Sequence, residues 1–304
     1  MKLSLFKTEF PIMLAPMAGF TDMTYRSICR EHGCDFTFTE MISAKGLKYG
    51  GKSADLMETA PNERPCGIQL FGRDPDIMAE MARRICGENK GELALIDINM
   101  GCPAPKITGN GEGSALMKEP LTAARVIEAV VKASDLPVSV KFRKGWDSGH
   151  VNCVDFARMA EASGAAFVTI HGRTRDQMYS GAADWEVIAE AKAALSIPVI
   201  GNGDVTGGSS AIAMRDYTGC DGIMIARGAY TPPSNAERLD LAIAHVRGLV
   251  AHKGPHGVIE MRKHIAYYVR GMKGASVFRT AATLAPTAEA LIGMIEEYRN
   301  KISE

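Results

Sequence analysis

Eight short apolar runs, each ending in a polar or reactive residue, constrain this chain more than any other feature. They lie at 12–15, 36–39, 67–70, 95–99, 138–142, 167–170, 198–201 and 222–225. Most are nearly continuous in apolar residues, as parallel strands are when both faces of their sheet are covered. Helical patterning fills much of the intervening sequence, over 21–32, 75–86, 121–133, 153–162, 185–194 and 209–218. The first two of these stretches open on Thr21-Asp22 and on Asp74, residues suited to N-caps. Eight strands in alternation with helices predict the α/β class and a (β/α)8 TIM barrel. An open doubly wound sheet is the competing architecture, but no Gly-x-Gly-x-x-Gly follows the first run.

The run ends read, in order, Pro16-Met17, Glu40, Gln69, Asn99 with Cys102, Lys141 with Arg143, His171 with Arg173, Asn202 with Asp204, and Arg227. Singly each has a structural reading: Lys141 a rim charge, His171 a bonded core imidazole, Asn202-Gly203-Asp204 a turn. In a barrel all of them converge on one mouth, where loops build the active site. Glycines after the seventh run (Gly201, Gly203, Gly207, Gly208) and Ala226-Arg227-Gly228 after the eighth suit a phosphate cup. A phosphorylated cofactor is therefore expected. Cys102 stands in the turn Met100-Gly101-Cys102-Pro103, lifted out of the sheet. Its loop runs on through Gly109, Gly111 and Gly113 to Ser114, and is expected to be flexible enough to close over a ligand.

Residues 230–235 (Tyr-Thr-Pro-Pro-Ser-Asn) read as a linker in which Ser234 or Asn235 caps a helix. Helices are expected over 236–252, 258–271, 276–282 and 287–301. The chain thus divides into a catalytic barrel at 1–230 and a small C-terminal helical domain at 235–304. Between Met261 and Ala288 stand Arg262, Lys263, Arg270, Lys273 and Arg279 with no acidic residue, and Tyr267 and Tyr268 interleave with them. An ordinary solvated face would mix in carboxylates; this one suits a nucleic-acid backbone. A formal net charge of zero means that any such partner is held by local patches.

Seven scattered cysteines without a Cys-x-x-Cys pair argue for reduced thiols in a cytoplasm, and against a disulfide framework or a metal site. The apolar stretch at 1–9 is too short for a signal peptide, and no window reaches membrane-spanning length. A monomer is expected.

With these residues assembled, the sequence resembles the tRNA dihydrouridine synthases. The matching stretches are Ala15-Pro16-Met17-Ala18-Gly19 with Thr21-Asp22, Thr39-Glu40-Met41, Ile68-Gln69-Leu70-Phe71-Gly72, the Cys102 loop, and His171-Gly172-Arg173-Thr174-Arg175 continuing to Trp185. Met261-Arg262-Lys263-His264 extends the match over nearly the whole chain. The resemblance implies FMN at the barrel mouth: Pro16, Met17 and Ala18 along the isoalloxazine, Gln69 and Lys141 at its polar edge. His171, Asn202, Gly203, Asp204, Ala226 and Arg227 would hold the ribityl chain and phosphate. It further implies a tRNA substrate, with Asn99, Arg143 and Arg173 near the uridine and Arg262, Lys263 and Arg270 on the RNA. NADPH or NADH would reduce the FMN, hydride would pass to carbon 6 of uracil, and Cys102 would protonate carbon 5. The target uridine would be swung out of the folded RNA. One departure is that the chain runs from Arg227-Gly228-Ala229 to Pro232 almost directly, without the Gly-x-Pro-Trp segment usual in the family. Two other functions compete: a free-pyrimidine (dihydroorotate-type) FMN dehydrogenase, which has no need of the basic tail, and a non-catalytic RNA-binding regulator, which has no need of Cys102 and Lys141.

Overall fold

The strands expected to be parallel are parallel, and they form one sheet. In the computed structural model, which describes residues 6, 8–232 and 234–303, the strands are β1 (Ile12–Leu14), β2 (Ile42–Ser43), β3 (Cys66–Phe71), β4 (Leu93–Met100), β5 (Val138–Gly145), β6 (Phe167–Thr174), β7 (Val199–Asn202) and β8 (Gly222–Ile225). Their order is β1-β8-β7-β6-β5-β4-β3-β2. Most of the stretch read above for a signal peptide, and Pro233 of the linker, lie outside the described residues.

Closure comes from the segment 36–39. It was expected to be a regular strand; instead it is joined to its neighbours by isolated parallel bridges, Met13 to Phe36 on one side and Phe38 to Gly67 on the other. Leu14 N donates to Phe36 O at 2.9 Å and Thr39 N to Gly67 O at 2.9 Å, so the ring of strands is complete. The regular ladder with β3 resumes only at Ile42 and Ser43. The interruption has a local cause. The Thr39 hydroxyl donates to the Glu40 carbonyl (2.9 Å), and the Glu40 carboxylate accepts the Gly19 amide, which turns residue 40 out of the strand line.

Alternation along the strands separates two apolar layers. Ile96, Ile98, Val140, Val168 and Ile223 face outward and pack under the crossover helices. These are α1 (Met23–Glu31), α2 (Ala44–Lys48), α3 (Pro75–Glu88), the single turn α4 (Pro105–Thr108), α5 (Pro120–Ala133), α6 (Cys153–Ala162), α7 (Glu186–Ala194) and α8 (Gly208–Thr218). Each aliphatic side chain buried there contributes roughly 1.5–3 kcal/mol. Met13, Phe36, Phe38, Leu95, Phe167, Ile200 and Met224 face inward and fill the floor of the barrel. Phe6 plugs it from below, edge-on to Phe36 and Phe167 (centroids 5.3 and 5.9 Å). Gly67 is glycine because a Cβ there would stand 2.5 Å from the Phe38 ring.

Asp22 caps α1 and Asp74 caps α3, each accepting backbone amides of the first turn. Ser234 caps α9 (Asn235–Lys253) in a reciprocal box with Glu237. With α10 (His256–Tyr268), α11 (Ala275–Ala282) and α12 (Ala288–Ser303), α9 forms a helical unit whose core includes Leu239, Val246, Met261, Ile265, Leu291 and Ile295. That core continues into the barrel through Leu14, Tyr25 and Tyr230. Tyr230 lies in the 3-10 turn Arg227–Tyr230 and stacks on Tyr25 of α1 (4.4 Å, 9°), so the short connection is anchored by aromatic packing.

Candidate active site

In a parallel barrel, residues paired in register point to the same side, so each register row is a row of neighbours. One row is Gln69, Asp97, Ser139, Phe167; a second is Asn99, Lys141, Thr169, Ile200; a third is Arg143, His171, Asn202, Met224. Gln69, Asn99, Lys141, Arg143, His171 and Asn202, named at the run ends of β3 to β7, therefore reach the same interior. Above the apolar floor two hydrogen-bonded groups adjoin. Gln69 Nε2 donates to Asp97 Oδ2 (2.6 Å), Ser139 Oγ to Asp97 Oδ1 (2.5 Å), and Asn99 Nδ2 to Gln69 Oε1 (2.8 Å). Lys141 Nζ donates to Asn202 Oδ1 (3.0 Å), whose own amide donates to the Met224 carbonyl (2.7 Å).

Asp97 went unmarked as a site residue in the sequence, although its inward position follows from alternation with Leu95 and Asn99. Burial pushes its carboxyl up to about 6, against the pull of the Gln69 and Ser139 hydrogen bonds and of Lys141. Burial, with Arg143 beside it, lowers Lys141 to about 8, and Asp97 opposes that shift. Lys141 is thus a half-buried cation whose one protein acceptor is Asn202 among the described residues. Burial and the surrounding charges of Lys141, Arg143, Arg173 and Arg227 hold His171 well below its usual range, as a neutral imidazole.

Cys102 sits where β4 ends, and its backbone is fixed from two sides. Asn99 Oδ1 accepts the amides of Gly101 (3.2 Å) and Cys102 (2.9 Å), and the Cys102 carbonyl accepts Ser114 Oγ (2.9 Å). Gly113, at φ 59°, passes so close that a Cβ would stand 2.8 Å from the Cys102 carbonyl. The loop is not the open strap that its glycines suggest. It consists of α4 and a 3-10 turn, and residues 113–117 are buried. Burial raises the Cys102 pKa, while the Ala104 amide and Arg143 act to lower it.

Arg143 and Arg173 are buried and largely engaged. Arg143 Nε donates to Gly101 O, and its Nη1 to the Thr174 and Met178 carbonyls (all 2.8 Å). Arg173 grips the Ser180 and Gly181 carbonyls and pairs with Asp204 at 2.7 Å. Both therefore brace the loop after β6, and Nη2 of Arg143 is the part left for a ligand. Tyr179 of that loop lies under the guanidinium groups of Arg227 (5.0 Å) and Arg143 (5.7 Å).

The turns after β7 and β8 approach closely. Gly203 takes φ 129°, and a Cβ on Gly228 would stand 2.1 Å from the Val205 carbonyl. Neither turn has room for a side chain, and the cations Lys141, Arg143, Arg173 and Arg227 all act on His171 beside Gly203, so the residues present fit an anionic, phosphate-bearing cofactor. Part of the α8 N-terminus is already self-satisfied: the Thr206 and Gly207 amides both donate to Ser210 Oγ. Pro16, Met17 and Ala18 form the turn after β1, closed by the Thr21 hydroxyl on the Met17 amide (2.8 Å).

The helical unit reaches this mouth through Lys263, whose Nζ lies over the Phe20 ring (5.8 Å) next to Gly19. Arg262 and Arg270 are exposed on the same unit. No helix among the described residues is long and apolar enough to cross a membrane.

A family model described as dihydrouridine synthase (Dus) matches residues 13–302. A "Probable tRNA-dihydrouridine synthase 1" of Synechocystis sp. is 39% identical over 288 residues, covering 88% of this chain and 80% of that protein. A "Probable tRNA-dihydrouridine synthase" of Rickettsia conorii is 38% identical, covering 96% and 94%. A "tRNA-dihydrouridine synthase B" of Xanthomonas campestris is 38% identical, covering 94% and 92%.

Proposed function

The chain belongs to the tRNA-dihydrouridine synthase family, a family of oxidoreductases, and from that premise we propose that it reduces a tRNA uridine with FMN as cofactor and NADPH as reductant, in the cytoplasm. We divide it into a catalytic barrel at 1–230 and an RNA-binding helical domain at 235–304. The observation that carries the reading is Cys102, its backbone pinned by Asn99 and Ser114 at the end of β4 beside Arg143.

Pro16, Met17 and Ala18 would line one side of FMN, with Gln69 and Lys141 at its polar edge. His171, Asn202, Gly203, Asp204, Ala226 and Arg227 would hold its ribityl chain and phosphate. Held by these residues, FMN would supply hydride chemistry at carbon 6 of uracil, with NADPH as the source of its electrons. A cation is required beside negative charge that builds up in a buried site, and Lys141 is that cation. Asn99 Nδ2, which gives only a weak second contact to Met41 Sδ (3.8 Å), and the Nη2 group of Arg143 are the donors that would orient the uracil edge, while Arg173 holds the loop above it. Cys102 gives its proton to carbon 5. Its raised pKa keeps it protonated at neutral pH, and Arg143 and the Ala104 amide stabilise the thiolate that remains.

The test is a purified enzyme given FMN, NADPH and tRNA. Cys102→Ala is expected to hold FMN and oxidise NADPH but to lose ~10²–10⁴ in dihydrouridine formation, the usual cost of removing a general acid. A protein that takes up no FMN refutes the reading. Wild-type dihydrouridine formation by Cys102→Ala refutes the role of the thiol.

A further inference from the structure

Away from the barrel mouth, three buried polar atoms converge without partners where the barrel meets the helical unit. They are Oδ2 of Asp22, Nε2 of His245 and Nε2 of His264, all within 4.8 Å of one another. Asp22 is the N-cap of α1, His245 lies on α9 and His264 on α10, and all three side chains are more than nine-tenths buried. Buried polar atoms are rarely left unpaired, and three converging on one point mark a place for a water or an ion between them.

The shell around them is built for that ligand. His264 Nδ1 lies 2.7 Å from the Tyr230 hydroxyl and His245 Nδ1 lies 3.2 Å from that of Tyr268. With each Nδ1–H donating to its tyrosine oxygen, both Nε2 lone pairs face the Asp22 oxygen. Such outer hydrogen bonds are how metal-ligating imidazoles are oriented. The three inward atoms are then all electron-pair donors, and a water molecule has two protons for three of them. Water would also leave the carboxylate charge uncompensated. His264 Nε2 is 3.8 Å from Asp22 Oδ2, too far for a hydrogen bond. The neighbouring cations, Lys253 and Lys263, lie 2.8 and 3.8 Å from Glu260. Around a tetrahedral zinc ion with bonds of about 2.0–2.1 Å, donor atoms stand about 3.4 Å apart. A small inward movement of the three side chains reaches that spacing.

We propose that Asp22, His245 and His264 bind one divalent transition-metal ion of the zinc class, which fastens the helical unit to the barrel. Imidazole and carboxylate suit such an ion, and the burial of the site makes its role structural. The proposal does not depend on the reaction at the mouth.

The test is elemental analysis of the full-length protein, expressed with zinc and dialysed against a weak chelator. About one zinc per chain is expected in the wild type, lost in His245→Gln and in His264→Gln, with thermal unfolding of the wild type shifted several degrees lower by a strong chelator. Cobalt replacement supplies a reading that needs no variant. Ligand-field bands in the visible without a thiolate charge-transfer band support histidine and carboxylate ligation. A thiolate band assigns the ion to a cysteine and overturns the proposal. So does a metal-free wild type whose unfolding neither zinc nor cobalt alters, or metal retained by both His245→Gln and His264→Gln.

Discussion

Asp97 shows how much a single inward-facing side chain decides. It lies at the centre of the polar layer, holding Gln69 and Ser139, and through Gln69 it sets the position of Asn99. Its folded pKa, about 6 against an ordinary 3.8, means that the folded protein binds this proton more tightly than the unfolded chain. The associated stability is present below about pH 4 and is lost as pH rises through 6. The loss amounts to at most about 3 kcal/mol for a shift of that size. Asp97→Asn cannot titrate. Urea unfolding of the two FMN-free proteins between pH 4 and 7 is therefore expected to diverge, the variant gaining on the wild type across that window. A constant difference would mean that Asp97 keeps an ordinary pKa. This carboxylate was legible in principle, because Leu95, Asp97 and Asn99 alternate on β4. What hid it was the run around it, apolar enough on both faces to conceal which side was inside.

Among the elements, those that carry their own signals were legible to within a residue or two. Helix α6 matches its expected span, and Asp22, Asp74 and Ser234 cap the helices they were read to cap. The second strand was misplaced because its kink depends on Glu40 meeting Gly19, a contact that no local pattern announces. The Arg26–Glu63 pair is hidden for the same reason. Arg26 of α1 is buried, donating Nε to Glu63 at 2.8 Å and Nη1 to the Thr21 carbonyl, and Glu63 also accepts the Thr37 hydroxyl (2.8 Å). Removing one partner strands a buried charge, which costs about 3–5 kcal/mol. Arg26→Ala is expected to lower the unfolding free energy by that amount, read as a lower urea midpoint with little change in slope. A loss below 1 kcal/mol, the range of exposed pairs, would show that water reaches Glu63. In the candidate site the register rows bring together Gln69, Asn99, Lys141, Arg143, His171 and Asn202 from the run ends, but the bracing of the β6 loop is hidden in the sequence: Arg143 reaches Thr174 and Met178 from another strand, and the fold of the loop back onto Arg173 has no local pattern. His245 and His264 look like ordinary helix interior in the sequence, because Asp22 lies more than 200 residues earlier.

For the whole molecule, the question is how a neutral chain takes hold of a polyanion. Lys263 stands at the mouth against Phe20, while Arg262 and Arg270 are exposed on the helical unit next to it. If these three meet tRNA phosphates, neutralising them together removes about three contacts. The slope of log affinity against log salt should then flatten by roughly 2–3. A salt titration of tRNA binding by wild type and triple variant measures this, with thermal unfolding confirming that both are folded. An unchanged slope would show the basic stretch to be a solvated face.

The seam between the first and last strands has a consequence for how the protein is made. Met13 bridges Phe36 on one side, yet its other neighbour is Met224, and the Ala15 amide is accepted by the Ile225 carbonyl. A ribosome adding about 5–20 residues per second needs roughly 10–40 s to travel from one edge of that seam to the other. Through most of that interval the first strand is outside the ribosome without the neighbour that will cover one of its edges. The nascent chain must keep that edge from other chains until its own last strand arrives.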